Sequence, residues 1–138
     1  WGLTILVGAL MGTFMWFNVW FIIWPAQQVC IASATAVAGG GQADPAAAGC
    51  AAKAGLASRT NTLFSIPLLF FMGAASHLPV SIGSEGILCA FLSAAGVILA
   101  LELNGLFGKM GPMKKVSGVI HCGLGLTVVL FALVECLS

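Results

Sequence analysis

From Trp1 to Ala43 the chain carries no Lys, Arg, Asp or Glu. Few features constrain a fold more, because an uncharged apolar stretch of that length has no solvated face and crossing the hydrocarbon of a bilayer takes roughly 20 apolar residues in helix. Three further runs follow. One lies between Arg59 and Glu85, centred on Leu63 to Val80. The next spans Gly86 to Phe107 with the single charge Glu102, and the last spans Val116 to Leu137 with Glu135 near its end. Only 7% of the 138 residues are charged and 60% are hydrophobic, whereas soluble domains carry about 25% charged residues. A soluble enzyme is excluded. The net charge of +1 supplies no basic field for phosphates, which sets nucleic acid aside as a partner.

Lipid demands that backbone hydrogen bonds close within each segment, and nothing alternates as barrel strands do, so the runs read as helices. The expected fold is an all-α integral membrane protein: four transmembrane helices in an up-down bundle, forming one membrane domain over residues 1–138. The helices are expected at about 2–36, 45–78, 84–107 and 114–137. Lys53 and Arg59 follow the first helix and Lys109, Lys114 and Lys115 follow the third, while the second connection carries only Glu85. The positive-inside rule then places the first and third connections in the cytoplasm and both termini outside. The first segment lacks a basic leader and exceeds the short apolar region of a signal peptide, so it reads as a retained helix. Because Trp1 already lies within it, an upstream portion is expected to be missing or processed.

Gly39, Gly40 and Gly41 break the first connection. Asp44 and Pro45 then look like an N-cap and first helical residue, followed by an Ala-rich helix former up to Arg59. The first two helices are therefore expected to extend as a cytoplasmic hairpin with its tip at about 37–44, against the alternative of a loose Ala/Gly linker.

Few residues could carry chemistry. Trp16, Trp20 and Trp24 recur every four residues along one stripe, with Asn18 on another face. Trp24 fits an interfacial belt; Trp16 and Trp20 read as lipid or packing contacts, with a stacking site for a flat cofactor as the minority reading. Gly8 and Gly12 form a G-x-x-x-G spacing, a face for close helix packing. His77 and His121 are the intramembrane imidazoles and hence the haem candidates, each with a Gly four positions away, Gly73 and Gly125. By depth along their helices they are expected to lie too far apart to share one haem. Glu102 is expected to pair with Lys109 or Arg59, with proton or quinone chemistry as its alternative. Five cysteines show no C-x-x-C or C-x-x-C-H, so no metal site and no covalent haem attachment is expected. No nucleophile with its base, phosphate cradle or carboxylate pair occurs, and no catalytic residue is assigned.

The run from Phe14 to Gln28 (FMWFNVWFIIWPAQQ), the run from Ala57 to Pro67 (ASRTNTLFSIP) and the run from Leu69 to His77 (LFFMGAASH) resemble the membrane domain of the bacterial membrane-bound urate oxidase (urate hydroxylase) family. The resemblance is close over the first two helices and loose over the last two, and it points to the later helices of that domain. In that family a multi-helix membrane domain is attached to a cytochrome c domain, which implies electron transfer to a respiratory chain. Trp16, Asn18, Trp20, Trp24, Pro25, Arg59, Asn61, Pro67 and His77 are the family-like positions, with Arg59 and Asn61 as a cytoplasmic anchor and Pro67 as a kink.

The function expected from these readings is a small accessory subunit in the bacterial inner membrane. It packs among other membrane subunits of a respiratory, photosynthetic or oxidoreductase complex and is not an enzyme by itself. The alternative is a redox-active subunit binding b-type haem or quinone through His77 or His121; bound lipid is the remaining ligand class. A transporter is weaker, since no repeated, interrupted helix pair occurs.

Overall fold

The computed structural model describes residues 2–78 and 86–137. The expected start of the third helix at 84, and Glu85, lie outside the described residues. Every regular element among the described residues is helical. Helix α1 spans Gly2–Phe17 and runs through a π-helical turn, Asn18–Ile23, into α2, Trp24–Ala38. Helices α3 (Ala47–His77), α4 (Ile87–Phe107) and α5 (Val116–Leu137) follow, with a short 3-10 turn at Gly111–Lys114 before α5.

Pro25 explains the π turn. Proline has no N–H to donate and its ring crowds the carbonyl four residues back. Widening the preceding turn, so that the Trp24 N–H reaches the Val19 carbonyl, relieves that crowding without breaking the rod. The first helix therefore continues as one rod to Ala38. At the other end of the hairpin, regular helix begins at Ala47, two residues later than expected. The Asp44 carboxylate still accepts the Ala46 N–H at 2.8 Å and its carbonyl the Ala47 N–H at 3.0 Å, so Asp44 caps the turn that leads into α3. Likewise α5 begins at Val116, because Lys115 is extended after the 3-10 turn.

Rod and helix pack as an ordered hairpin rather than a loose linker. The Ser33 hydroxyl accepts the Asp44 N–H at 2.9 Å across the tip, where Gly40 takes φ +82°, a left-handed conformation that favours glycine. At 37 residues the rod is about 55 Å long, and α3 at 31 residues is about 46 Å, both longer than a bilayer's hydrocarbon layer of about 30 Å.

Helix α3 is the axis of the bundle and touches all four other helices. It runs antiparallel to α1, with Gly8 opposite Phe71 and Gly12 opposite Leu68. It runs parallel to α5, where Gly123 meets Ile66 and Phe131 meets Phe70 edge to face. The core is built from four-residue repeats: Leu3, Val7 and Met11 on α1, Ala90, Ala94 and Ile98 on α4, Leu126, Leu130 and Val134 on α5, all packed on Leu63, Phe64 and Phe71 of α3.

Three helical rods are long and apolar enough to cross a membrane: Gly2–Ala38, Ile87–Phe107 and Val116–Leu137. Helix α3 is not one of them, although a spanning helix was expected there. Its polar residues are the physical reason: Thr60 is buried and Asn61 half-buried against neighbouring helices, while Thr62, Ser76 and His77 are exposed.

Candidate functional site

The buried stripe of α4 does not end at Ile98. One turn on it reaches Glu102, 1% exposed, and the same level of the rod brings in Asn18, fully buried as the first residue of the π turn. Asn18 Nδ2 donates to Glu102 Oε2 at 3.1 Å and to Asn61 Oδ1 of α3 at 2.9 Å. Asn61 Nδ2 in turn donates to the Met15 carbonyl at 3.0 Å. Beside this node, Thr60 donates to the Leu56 carbonyl at 3.1 Å and presses on Gly105. Three helices meet through one polar chain.

This corrects the expected role of Glu102. Its partner is Asn18, and neither Lys109 nor Arg59 forms an ion pair with it among the described residues. Lys109 is exposed on the turn beyond α4, where its backbone meets Asn104. Asn61, expected as an interfacial anchor beside Arg59, points instead into the bundle, whereas Arg59 is half-buried and outside the node. Two signals in the sequence could have shown the node. Ala90, Ala94, Ile98 and Glu102 share a four-residue spacing, and Met11 and Asn18 a seven-residue one, so both polar residues continue a core stripe.

The tryptophans face outward, with Trp16 57%, Trp20 56% and Trp24 52% exposed. Trp16 meets Phe21 edge to face, and a shallow apolar groove opens between Val19, Trp20 and Trp24. Gly8 and Gly12 lie against Phe71 and Leu68 of this same chain, and they floor an open apolar groove with Thr4, Ala9 and Met72. That face packs α1 on α3.

The histidines are placed far apart. His77 closes α3 and His121 lies in the second turn of α5, below the level at which Gly123 meets Ile66. The eleven residues from Ile66 to His77 alone put about 16 Å between them along the axis. Both are exposed, and each donates through Nδ1 to the carbonyl four residues back, Gly73 at 3.0 Å and Ser117 at 2.6 Å. A carbonyl can only accept, so Nδ1 carries the proton and Nε2 keeps its lone pair for a ligand. His77 borders a groove with Leu69, Phe70, Gly73 and Leu78. Among the described residues no three His, Cys, Asp or Glu side chains converge as a metal site, and all five cysteines are free.

Comparison with known proteins gives one result that bears on all of this. The family model described as urate oxidase N-terminal matches residues 2–133, and the chain belongs to that family. The match reaches into α5, so the likeness extends over the last two helices as well as the first two. No curated protein and no solved structure matches the chain.

Proposed function

We propose that this member of the urate oxidase N-terminal family is a four-helix integral-membrane unit that packs within a larger bacterial redox assembly and is not a catalyst by itself. The observation that carries this reading is the contrast between its surfaces. The outward faces are apolar along the rods, with Trp16, Trp20, Leu69, Met72, Leu88 and Val128 each more than half exposed. Inside, Asn18, Asn61 and Glu102 form a hydrogen-bonded node that serves to lock three helices together. A surface of that kind fits lipid or the apolar flank of another membrane subunit.

The up-down arrangement is read with α3 as the fourth spanning helix. Lys109 and Lys114 border the same cleft as Ala52 and Leu56 of α3, so cations of the first and third connections gather at one end. That distribution supports a cytoplasmic placement of both connections in the bacterial inner membrane, with the long hairpin projecting there.

A redox-active reading is favoured by one observation. His77 has its Nδ1 proton tied to Gly73, as metal-bound histidines are oriented by a carbonyl, and the residue borders the groove at the end of α3;. In that reading His77, with a partner ligand from another helix, holds b-type haem or hydrogen-bonds a quinone; His121 is the equivalent at the other end.

One preparation separates the two. The chain is solubilised gently from its native membrane, its co-purifying proteins are identified by mass, and a reduced-minus-oxidised absorption spectrum is recorded. Stoichiometric larger subunits without haem bands on this chain are expected. Haem bands that disappear in His77→Ala or His121→Ala overturn the packing role in favour of electron transfer, and a chain that purifies alone overturns the assembly.

A further inference from the structure

Two buried oxygens in the node have no partner, and both belong to the same pair of side chains: Glu102 Oε1 and Asn18 Oδ1. The amide orientations follow from a backbone group. The Met15 carbonyl can only accept, so Asn61 presents Nδ2 to it and Oδ1 to Asn18;. Asn61 Oδ1 can only accept as well, so Asn18 presents Nδ2. Its two amide protons then go to Asn61 Oδ1 and Glu102 Oε2. Asn18 Oδ1 is left without a donor on the same amide that meets the carboxyl, and an ionised carboxylate has no proton to offer it;.

A single proton on Oε1 resolves the conflict. It turns Glu102 from an acceptor-only group into one with an O–H donor, and Asn18 Oδ1 is the unfilled acceptor next to it. The result is the two-point pair of a carboxylic acid with a primary amide. The hydrogen-bonded groups around it favour the same state: the rod contributes Asn18 and α3 contributes Asn61, neither of them charged. No Lys, Arg or His forms an ion pair with the carboxyl among the described residues. A carboxylate without a cation in an apolar interior neutralises instead.

We propose that Glu102 and Asn18 form a buried proton-binding site, with Glu102 held as the neutral acid at neutral pH and its Oε1 hydroxyl donating to Asn18 Oδ1. Loss of the proton leaves both oxygens without a donor and weakens the hold of Glu102 on Asn18;. Asn18 opens the π turn, a feature frequent at functional sites, and occupancy of the site is thereby coupled to the geometry of that turn. The site stands on hydrogen-bond geometry and not on the packing role proposed above.

Infrared spectroscopy of the whole chain in lipid nanodiscs at neutral pH tests it. The carbonyl stretch of a protonated carboxylic acid is expected, moving to lower frequency in D2O, lost in Glu102→Gln and kept in Glu85→Gln and Glu135→Gln. Glu102→Gln retains the two-point pair through its amide and should unfold at the wild-type temperature, whereas Glu102→Ala should unfold earlier. If the Gln variant yields too little folded protein, Asn18→Ala assigns the band: losing the acceptor raises its frequency, and an unmoved band overturns the pairing. Absence of the band in the wild type, or its survival in Glu102→Gln, also overturns the site. So does a thermal midpoint raised by sodium or potassium chloride over choline chloride at equal ionic strength, which would make the occupant an alkali cation.

Discussion

Thr60 of α3 lies so close to Gly105 of α4 that a Cβ added to the glycine would sit 2.6 Å from Thr60 Oγ1 and 2.9 Å from Cγ2. The absence of one carbon atom at Gly105 lets α4 approach the bundle axis, three residues beyond the carboxyl that meets Asn18. Gly105→Ala is expected to force these helices apart and cost about 1–3 kcal/mol, as overpacking does in cores. The thermal midpoint in detergent checks it, and Thr60→Ser combined with Gly105→Ala should recover part of the loss. A Gly105→Ala chain as stable as the wild type would mean that α4 is not held at this distance.

Removing Asn18 strips both Asn61 Oδ1 and Glu102 Oε2 of their donor. Asn18→Ala is expected to destabilise the fold by about 1–3 kcal/mol for each buried group left unpaired. A double-mutant cycle of Asn18→Ala with Asn61→Ala should show coupling of about 0.5–3 kcal/mol. Strict additivity would place the two side chains in separate environments.

The Trp16, Trp20 and Trp24 stripe faces away from the bundle. In liposomes of the isolated chain, brominated lipid should quench all three, read one at a time in variants with Trp1 and the other two replaced by Phe. In the native assembly, protection from quenching marks the tryptophans that a partner covers; equal quenching in both settings argues against this stripe as a docking face.

At Gly12 the added Cβ would meet Leu68 Cδ1 at 3.4 Å, an ordinary contact, while Gly8 is buried against Phe71. Gly12→Ala should therefore be tolerated within about 0.5 kcal/mol. A leucine at Gly8 is expected to push α1 off α3 and lower stability by about 1–3 kcal/mol. Under the accessory reading, Gly12→Leu fills the groove beside Leu68 and Met72 and should release the chain from its complex; retention at wild-type stoichiometry counts against that groove as an interface.

His77 and His121 touch little besides a carbonyl on their own helix. Replacing either with Ala is expected to change the stability of the isolated chain by no more than about 0.5 kcal/mol. A larger loss, measured by thermal unfolding, would show that the ring is bound to something other than its own helix.

Much of the architecture was legible because it depends on local quantities. Length and apolarity of the runs at Gly2, Gly86 and Val116 suffice for helices, and Gly39 to Gly41 with Asp44 suffices to turn the chain, since each is decided within a few residues. Pro25 was visible too, yet whether a proline breaks, kinks or widens a helix depends on what the neighbouring turn can do. The place of Asn61 is not legible for a related reason: next to Arg59 it resembles an interfacial anchor, and only the approach of Met15 and Asn18 from another helix gives its amide partners inside.

The sequence by itself determined that this chain is helical and apolar, where its turns lie, and which family it resembles, because hydropathy, periodicity and motif runs are properties of neighbours along the chain. Tertiary structure alone decided that α3 occupies the centre and that Asn18, Asn61 and Glu102 form one hydrogen-bonded node. Those residues stand 43 and 84 positions from Asn18, and a hydrogen bond depends on distances of about 3 Å that only the packing of helices can set.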